Sequence, residues 1–428
     1  MSTDRRTVVI VATLDTKGQE AAYVRDHVAA WGLNTILIDP GVLPEPTVAA
    51  DISREAVAEA AGTTLAALLE RGEKSFAIAT QTAGLCTIVR ELHARGRLHG
   101  IVGLGGGQGT SIGTAAMRAL PIGVPKLMLS TVASGNFQFG PYVGTKDLCM
   151  MHSITDVLGL NVISRPILRN AANAIAGMAL RYEPEAESEA PTIAITMLGI
   201  TTPCVMRIKA RLEGSTAAHP YEVVPFHANG TSGPAMEQLI EKGKFAGLID
   251  LSTHEVIDQQ HGGLAGAPNR LEVLTRYPIP AVVSVGGSDY VLFESVQKAP
   301  EKYRNRAHMV HNAQMTCFAP TPEEMVAAAR EMIDRLNRAL GPIIVVLPRK
   351  GFSRPNREGG GLYVPEGNQA VIEEFRATLR PEIPVVVADV HLNDPPFADL
   401  VAACLERLLG GEAPHTIAAR VQNDGFVP

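Results

Sequence analysis

Glycine occupies positions 105, 106, 107 and 109 of this chain, with Gln108 among them and Thr110 directly after. The run Gly100–Leu104 reads as a strand leading into this segment, and Gly109–Ala119 as the helix leaving it. Backbone without Cβ atoms can approach an anion closely, and the free N–H groups of a helix start, helped by the helix dipole, then face it. Gly105, Gly106, Gly107, Gln108, Gly109 and the Thr110 hydroxyl therefore read as a phosphate cradle. The pattern is neither a Walker sequence, which ends in Gly-Lys-Ser/Thr, nor a strict G-x-G-x-x-G, so it does not name its ligand. A tight strand-to-helix turn with no ligand is the plainer alternative.

Three further turns carry hydroxyl, amide or charged groups where a strand is expected to end. In Thr13–Glu20, Asp15 or Thr16 suits a helix cap; in the ligand reading, Lys17 reaches a phosphate and Asp15 holds Mg²⁺ directly or through water. Thr80 and Gln81 in Thr80–Gly84, and Ser130, Thr131, Ser134 and Gly135 in Ser130–Asn136, suit hydrogen bonds to ribose, base or phosphate. Ligands of open parallel sheets bind outside the carboxyl ends of the strands. Four such turns on one rim describe a nucleotide pocket lined by backbone and neutral polar groups. A dinucleotide such as NAD is the second choice: an acid follows the second strand as Asp39, but the first turn lacks G-x-G-x-x-G.

Acid–base candidates come later in the chain. His254 with Glu255, Asp289 and His311 form the expected catalytic set, able to hold a polar substrate or relay protons, although a lone histidine is more often an ordinary core or surface residue. Arg349–Arg357 concentrates positive charge suited to a carboxylate or phosphate, or is a solvated loop. His391–Asp394 is a further cluster, in which Asp394 can simply cap a helix. No H-E-x-x-H, G-x-S-x-G or spaced Cys/His set is present, which leaves metalloprotease, hydrolase and zinc chemistry without support.

The elements that must position these groups alternate regularly. Strands are expected at Thr7–Leu14, Thr35–Asp39, Phe76–Ala79, Gly100–Leu104 and Lys126–Thr131, with helices at Lys17–Ala30, Arg54–Arg71, Gly84–Arg95 and Gly109–Ala119. The acidic, proline-bracketed stretch Tyr182–Pro191 reads as a linker. Beyond it, strands recur at Thr192–Met197, Tyr221–Pro225, Gly247–Leu251, Ala281–Val285, Pro342–Leu347 and Pro384–Val390, and helices at Pro322–Ala339, Asn368–Leu379 and Phe397–Leu408. The fold class is α/β, with two Rossmann-like open parallel-sheet subdomains: a nucleotide-binding lobe over 1–185 and a substrate or partner lobe over 186–428.

Composition bounds the rest. With 46% apolar and 19% charged residues, the 428-residue chain is globular rather than disordered. A mildly acidic net charge of −6 gives no support for a nucleic-acid surface. The apolar run Val8–Ala12 is too short for a signal peptide or membrane span, and the five scattered cysteines suit a reducing cytoplasm.

The stretches Thr13–Glu20, Asp51–Arg54, Gly105–Thr110, Ser130–Gly135, Arg270–Glu272, the Asp289 turn, His311-Asn312, Asn393-Asp394 and Phe397-Ala398 also carry a likeness. With them the chain resembles the ATP-binding domain family represented in plants by the amino-terminal inhibitory domain of the tomato mosaic virus resistance protein, which has free-standing members in bacteria and fungi. The resemblance implies two Rossmann-like subdomains, ATP in the first, and a homodimer. It assigns Asp15, Thr16, Lys17, Gly105–Thr110 and Ser130–Gly135 to the nucleotide. Where the family's turn resembles Gly-Val-Ser-Ala followed by acids, this chain has Gly351-Phe-Ser-Arg-Pro-Asn-Arg357, so its substrate pocket is expected to differ. Together these readings imply an enzyme, an ATP-dependent ligase or kinase acting on a small anionic metabolite such as a sugar acid or hydroxy acid. The alternative is a non-catalytic module that responds to ATP.

Overall fold

A computed structural model describes residues 5–42, 45–135, 140–184, 190–214 and 220–423. The chain forms two compact units, Met1–Ala186 and Glu187–Pro428. Each is α/β and Rossmann-like, with an open, all-parallel main sheet.

In the first unit β1 (Thr7–Val11) leads to α1 (Leu14–Ala29) and β2 (Asn34–Ile38), then to α2 (Arg54–Ala60), α3 (Leu65–Arg71) and α4 (Lys74–Ala94). There follow β3 (Gly100–Gly105), α5 (Gly107–Arg118), β4 (Lys126–Ser130), α6 (Gly140–Val143), β5 (Cys149–His152) and α7 (Ser164–Leu180). The sheet order is β2-β1-β3-β4-β5. Strands β1, β3 and β4 are buried along their whole length, which is why their central residues are continuously apolar rather than alternating. Helices cover both faces: α1 and α7 close one core, α4 and α5 the other.

Two expected elements change. Phe76–Ala79 is not a strand but part of the first two turns of α4, whose buried Ala77, Gln81, Leu85, Val89 and Leu92 recur at helical spacing. The four-residue apolar run was too short to show that period. Gly84 is accordingly no turn glycine: a Cβ there would collide with the Val57 carbonyl of α2, so it permits close helix crossing. The fifth strand is β5 instead. The single helix expected over Arg54–Arg71 is two, interrupted at Gly62 (φ 81°) and restarted by Thr64, whose side chain accepts from Ala67 N. Asn136 and positions 185–189 of the expected linker lie outside the described residues.

The second unit runs β6 (Thr192–Met197), α8 (Thr202–Glu213), β7 (Glu222–His227), α9 (Ser232–Glu241), β8 (Gly247–Ser252), α10 (His254–His261) and β9 (Ala281–Gly286). A small insertion follows: β10 (Val291–Phe293), α11 (Glu301–Arg304), β11 (His308–Asn312) and β12 (Met315–Phe318). The unit closes with α12 (Pro322–Asn337), β13 (Ile343–Pro348), α13 (Pro365–Thr378), β14 (Val385–Ala388), α14 (Pro395–Leu409) and α15 (Pro414–Asn423). Its main sheet has the order β14-β13-β9-β8-β6-β7. Pro225 is tolerated because β7 is an edge strand. The insertion is an antiparallel sheet, β10-β12-β11, that the sequence reading missed; its strands are short and β11 is polar and largely exposed. Among the described residues, no helix is long and apolar enough to cross a membrane.

Candidate functional site

The order β2-β1-β3-β4-β5 reverses direction between β1 and β3, and open sheets take ligands at that switch point, beyond the carboxyl ends. A cavity of about 530 Å³ lies there. The turn after β1 supplies Thr13, Asp15, Thr16 and Lys17; the turn after β3 supplies Gly105–Gly109. The structure thus brings together the two segments that carry the strongest sequence signals.

Three helices begin at this cavity: α1 after Thr13, α4 after Glu73 and α5 after Gly106. In none does the N-cap side chain satisfy a first-turn N–H. Asp39 takes the first amide of α1, Leu14 N, at 3.1 Å, but the positive ends of three helix dipoles, with the first-turn amides of α5, converge on one space. Lys17 and Lys74 line it without an ion-pair partner among the described residues, whereas Glu73 is engaged by Arg71 at 3.2 Å. Asp15 lies in the first turn of α1, where the Thr16 hydroxyl donates to its Oδ1 at 3.2 Å; the cap position itself belongs to Thr13.

The glycines divide into two kinds. A Cβ on Gly105 would stand 2.8 Å from Gly109 Cα, and one on Gly109 would stand 3.2 Å from the Leu104 carbonyl, so these two serve strand-to-helix packing. A Cβ on Gly107 would meet nothing within 4 Å. Packing within the chain gives no reason for glycine at 107.

Behind the cradle, Thr110 and Ser130 are wholly buried, their hydroxyls 2.6 Å apart. Ser130 Oγ also accepts from Val132 N, and Thr131 N donates to Gly105 O at 3.2 Å. Thr110, Ser130 and Thr131 thus hold the β3 and β4 turns together and do not line the cavity. Ser134 contacts His152 at 3.2 Å, and Gly135 is exposed with φ 74°. Thr80 and Gln81 are helical, not turn residues: Thr80 Oγ1 donates to Phe76 O, and buried Gln81 donates to Gly41 O and Arg54 O. Gln81 so supports Gly41, which does line the cavity.

Sequence reasoning missed the opposite wall. Val42, Leu68, Leu69, Ala77 and Ile78 give it an aliphatic surface from the β2 turn, α3 and α4. No signal marked these residues, since aliphatic side chains on a helix look alike whether they face a core or a ligand. Asp39, the acid wanted by the NAD reading, is already used: its Oδ1 accepts from Leu14 N at 3.1 Å and Gly41 N at 2.8 Å, and burial raises its pKa.

The second unit's candidates sit differently. His254, Glu255 and Asp289 are wholly buried. His254 Nδ1 lies 2.8 Å from Gly287 O and Nε2 lies 3.3 Å from Asp258 Oδ2, with the ring stacked on Tyr290. Burial alone would depress its pKa, but the Asp258 carboxylate outweighs that and raises it. Glu255 accepts from Gly230 N at 2.7 Å and pairs with buried Arg270, which also holds Glu237 and Asp250. His311 lies at an irregularity of β11 and is exposed. The structure therefore groups His254 with Asp289 but leaves His311 on a separate sheet.

Above these groups, Gly351–Asn356 crosses the carboxyl ends of the second sheet. Phe352 O accepts from Gly287 N, Arg354 N donates to Ile200 O at 3.3 Å, and the Ser353 hydroxyl donates to Asp289. Phe352, Ser353 and Asn356 are fully buried.

Burial pushes the Asp289 carboxyl up to about 6, against an unfolded value of ~3.9. The protonated form is thus favoured in the fold. Its contribution to stability is complete below about pH 4 and disappears as pH rises through about 6. Asp289→Asn, which cannot ionise, should gain stability relative to the parent protein between pH 4 and 7 in urea unfolding. A difference that does not change with pH would mean that Asp289 titrates normally.

Among the described residues no group of three or more His, Cys, Asp or Glu side chains could hold a metal ion. Residues 6–184 match the N-terminal domain of an uncharacterised protein family (UPF0261), and residues 190–409 match its C-terminal domain. A UPF0261 protein of Rhizobium meliloti (strain 1021) is 41% identical over 399 residues, 92% of this chain and 97% of its own. A UPF0261 protein of Clostridium tetani is 37% identical over 404 residues, 94% and 98% of the two chains. The ToMV resistance protein Tm-1(GCR237) of Solanum lycopersicum is 37% identical over 342 residues, which are 78% of this chain but 45% of the plant protein. With both of its regions matched, this chain belongs to the uncharacterised protein family UPF0261.

Proposed function

We propose that the first unit binds ATP at the β1/β3 switch point and that the chain uses it on a small anionic metabolite, such as a sugar acid or hydroxy acid, in a ligase- or kinase-type step. One observation carries the nucleotide reading: three helix starts without side-chain caps, together with Lys17 and Lys74, converge on a single cavity. Phosphates suit the amide-rich rim, and the aliphatic wall of Val42, Leu68, Leu69, Ala77 and Ile78 suits a base. Asp15 beside Thr13 and Thr16 offers hard oxygen atoms, so Mg²⁺ would enter with the nucleotide and be held there directly or through water. The same reading, from the resemblance and the five free cysteines, takes the protein as a cytoplasmic homodimer.

A second reading, a nucleotide-responsive module without catalysis, is favoured by the burial of His254, Glu255 and Asp289 and by their engagement with the protein's own groups. One experiment separates the two. Purified protein is incubated with Mg-ATP and pools of sugar acids and hydroxy acids, and ADP, AMP and diphosphate are followed. Turnover that needs a pool and falls in Lys17→Ala supports the enzyme. A binding isotherm with ATP left intact in every pool supports the module, and absence of ATP binding defeats both.

A further inference from the structure

At the amino-terminal rim of the same sheet lies a second cavity, also of about 530 Å³, lined by Arg5, Thr7, Asn34, Thr35 and Arg97 among others. We propose that it binds a small oxyanion, a phosphate ester or a dicarboxylate, at a site separate from the nucleotide cavity.

The first support is electrostatic. Among the described residues no carboxylate lines this cavity, and neither Arg5 nor Arg97 has an ion-pair partner. Arg95, two positions before Arg97, by contrast pairs with Glu91 at 3.2 Å. Two guanidinium groups facing one space repel each other, and an anion between them relieves that repulsion. Each presents a planar fork of donors that matches a phosphate or carboxylate.

The second support is preorganisation. Arg97 leaves the end of α4 on a fixed backbone: Gly96 is left-handed (φ 67°) and Arg97 N donates to Leu92 O at 2.8 Å. On the other side, Asn34 Nδ2 donates to Arg5 O at 3.3 Å and Asn34 N donates to Arg6 O at 2.9 Å. The two stems therefore emerge from set points beside the Thr7 and Thr35 positions. A volume in the range of small-molecule pockets leaves room for an organic anion.

Location gives the role. The rim lies at the amino ends of β1 and β2, and five-residue strands place it roughly 16 Å from the carboxyl-end cavity. An anion here does not touch the nucleotide's ligands and acts as an effector or second ligand.

The test is calorimetric titration with inorganic phosphate and with succinate, at ionic strength held constant with sodium chloride. All proteins carry Gly107→Val, which removes any phosphate binding at the nucleotide cavity and is harmless if that reading fails, because a Cβ at 107 meets nothing. Adding Arg5→Gln and Arg97→Gln, both exposed positions, should weaken binding at least about tenfold. The tighter of the two probes names the source, phosphate ester or dicarboxylate. Equal binding with and without both arginines, or no binding above that of chloride, overturns the proposal. ATP affinity in the Arg5→Gln/Arg97→Gln protein without the valine reports on the nucleotide reading independently.

Discussion

Gly107→Val should lower the affinity for ATP at least about tenfold, corresponding to ~1.4 kcal/mol or more, while leaving the unfolding midpoint nearly unchanged. The two halves of this expectation have different origins. A valine at 107 enters open space, so the fold has nothing to lose. The same side chain occupies the position from which a phosphate would reach the first-turn amides of α5. Gly105→Ala makes the necessary contrast. Its Cβ would press on Gly109 Cα, so that variant should lose stability whether or not a ligand binds. Equilibrium dialysis and thermal unfolding of both variants decide the matter: an unaltered dissociation constant in Gly107→Val would move the ligand away from α5.

The largest effect on stability should come from Arg270→Met. Arg270 is 1% exposed and is the shared partner of Glu237, Asp250 and Glu255, with Asp250 bound through both oxygens at 2.9 Å. Its removal strands three buried carboxylates, and breaking even one buried pair this way costs about 3–5 kcal/mol. Urea unfolding at pH 7 should show a loss of at least that size. The experiment also bears on catalysis. A stable Arg270→Met protein would release Glu255 from its structural duty and restore it as an acid–base candidate.

What could be read from the sequence follows from what each residue is held by. Strands β1, β3 and β4 were legible because burial on both faces leaves their central residues continuously apolar. The glycine-rich turn was legible because four closely spaced glycines exceed the needs of a turn; the structure narrows that surplus to Gly106 and Gly107, since Gly105 and Gly109 are explained by close packing. Thr80 and Gln81 were misplaced because Phe76–Ala79, taken alone, has the composition of a strand, and only the longer spacing to Leu92 reveals α4. The aliphatic wall was not legible at all. His254 and Glu255 stood out for their chemistry, but whether such groups face a substrate or one another depends on tertiary contacts with Asp258 and Arg270 that no local pattern encodes.

Phe352 has a thermodynamic consequence for any ligand of the second sheet. A molecule that reaches Asp289 from the side covered by Ser353 must first displace Gly351–Asn356, exposing a wholly buried phenylalanine and breaking the bonds to Gly287 and Ile200. Uncovering such a ring costs on the order of 2–3 kcal/mol before the hydrogen bonds are counted. The open form is then about one molecule in a hundred or rarer, and apparent affinity falls by the same factor. A ligand that binds there tightly must recognise the open form far better than its measured constant suggests, and anything that loosens the 351–356 segment would strengthen binding without touching the ligand.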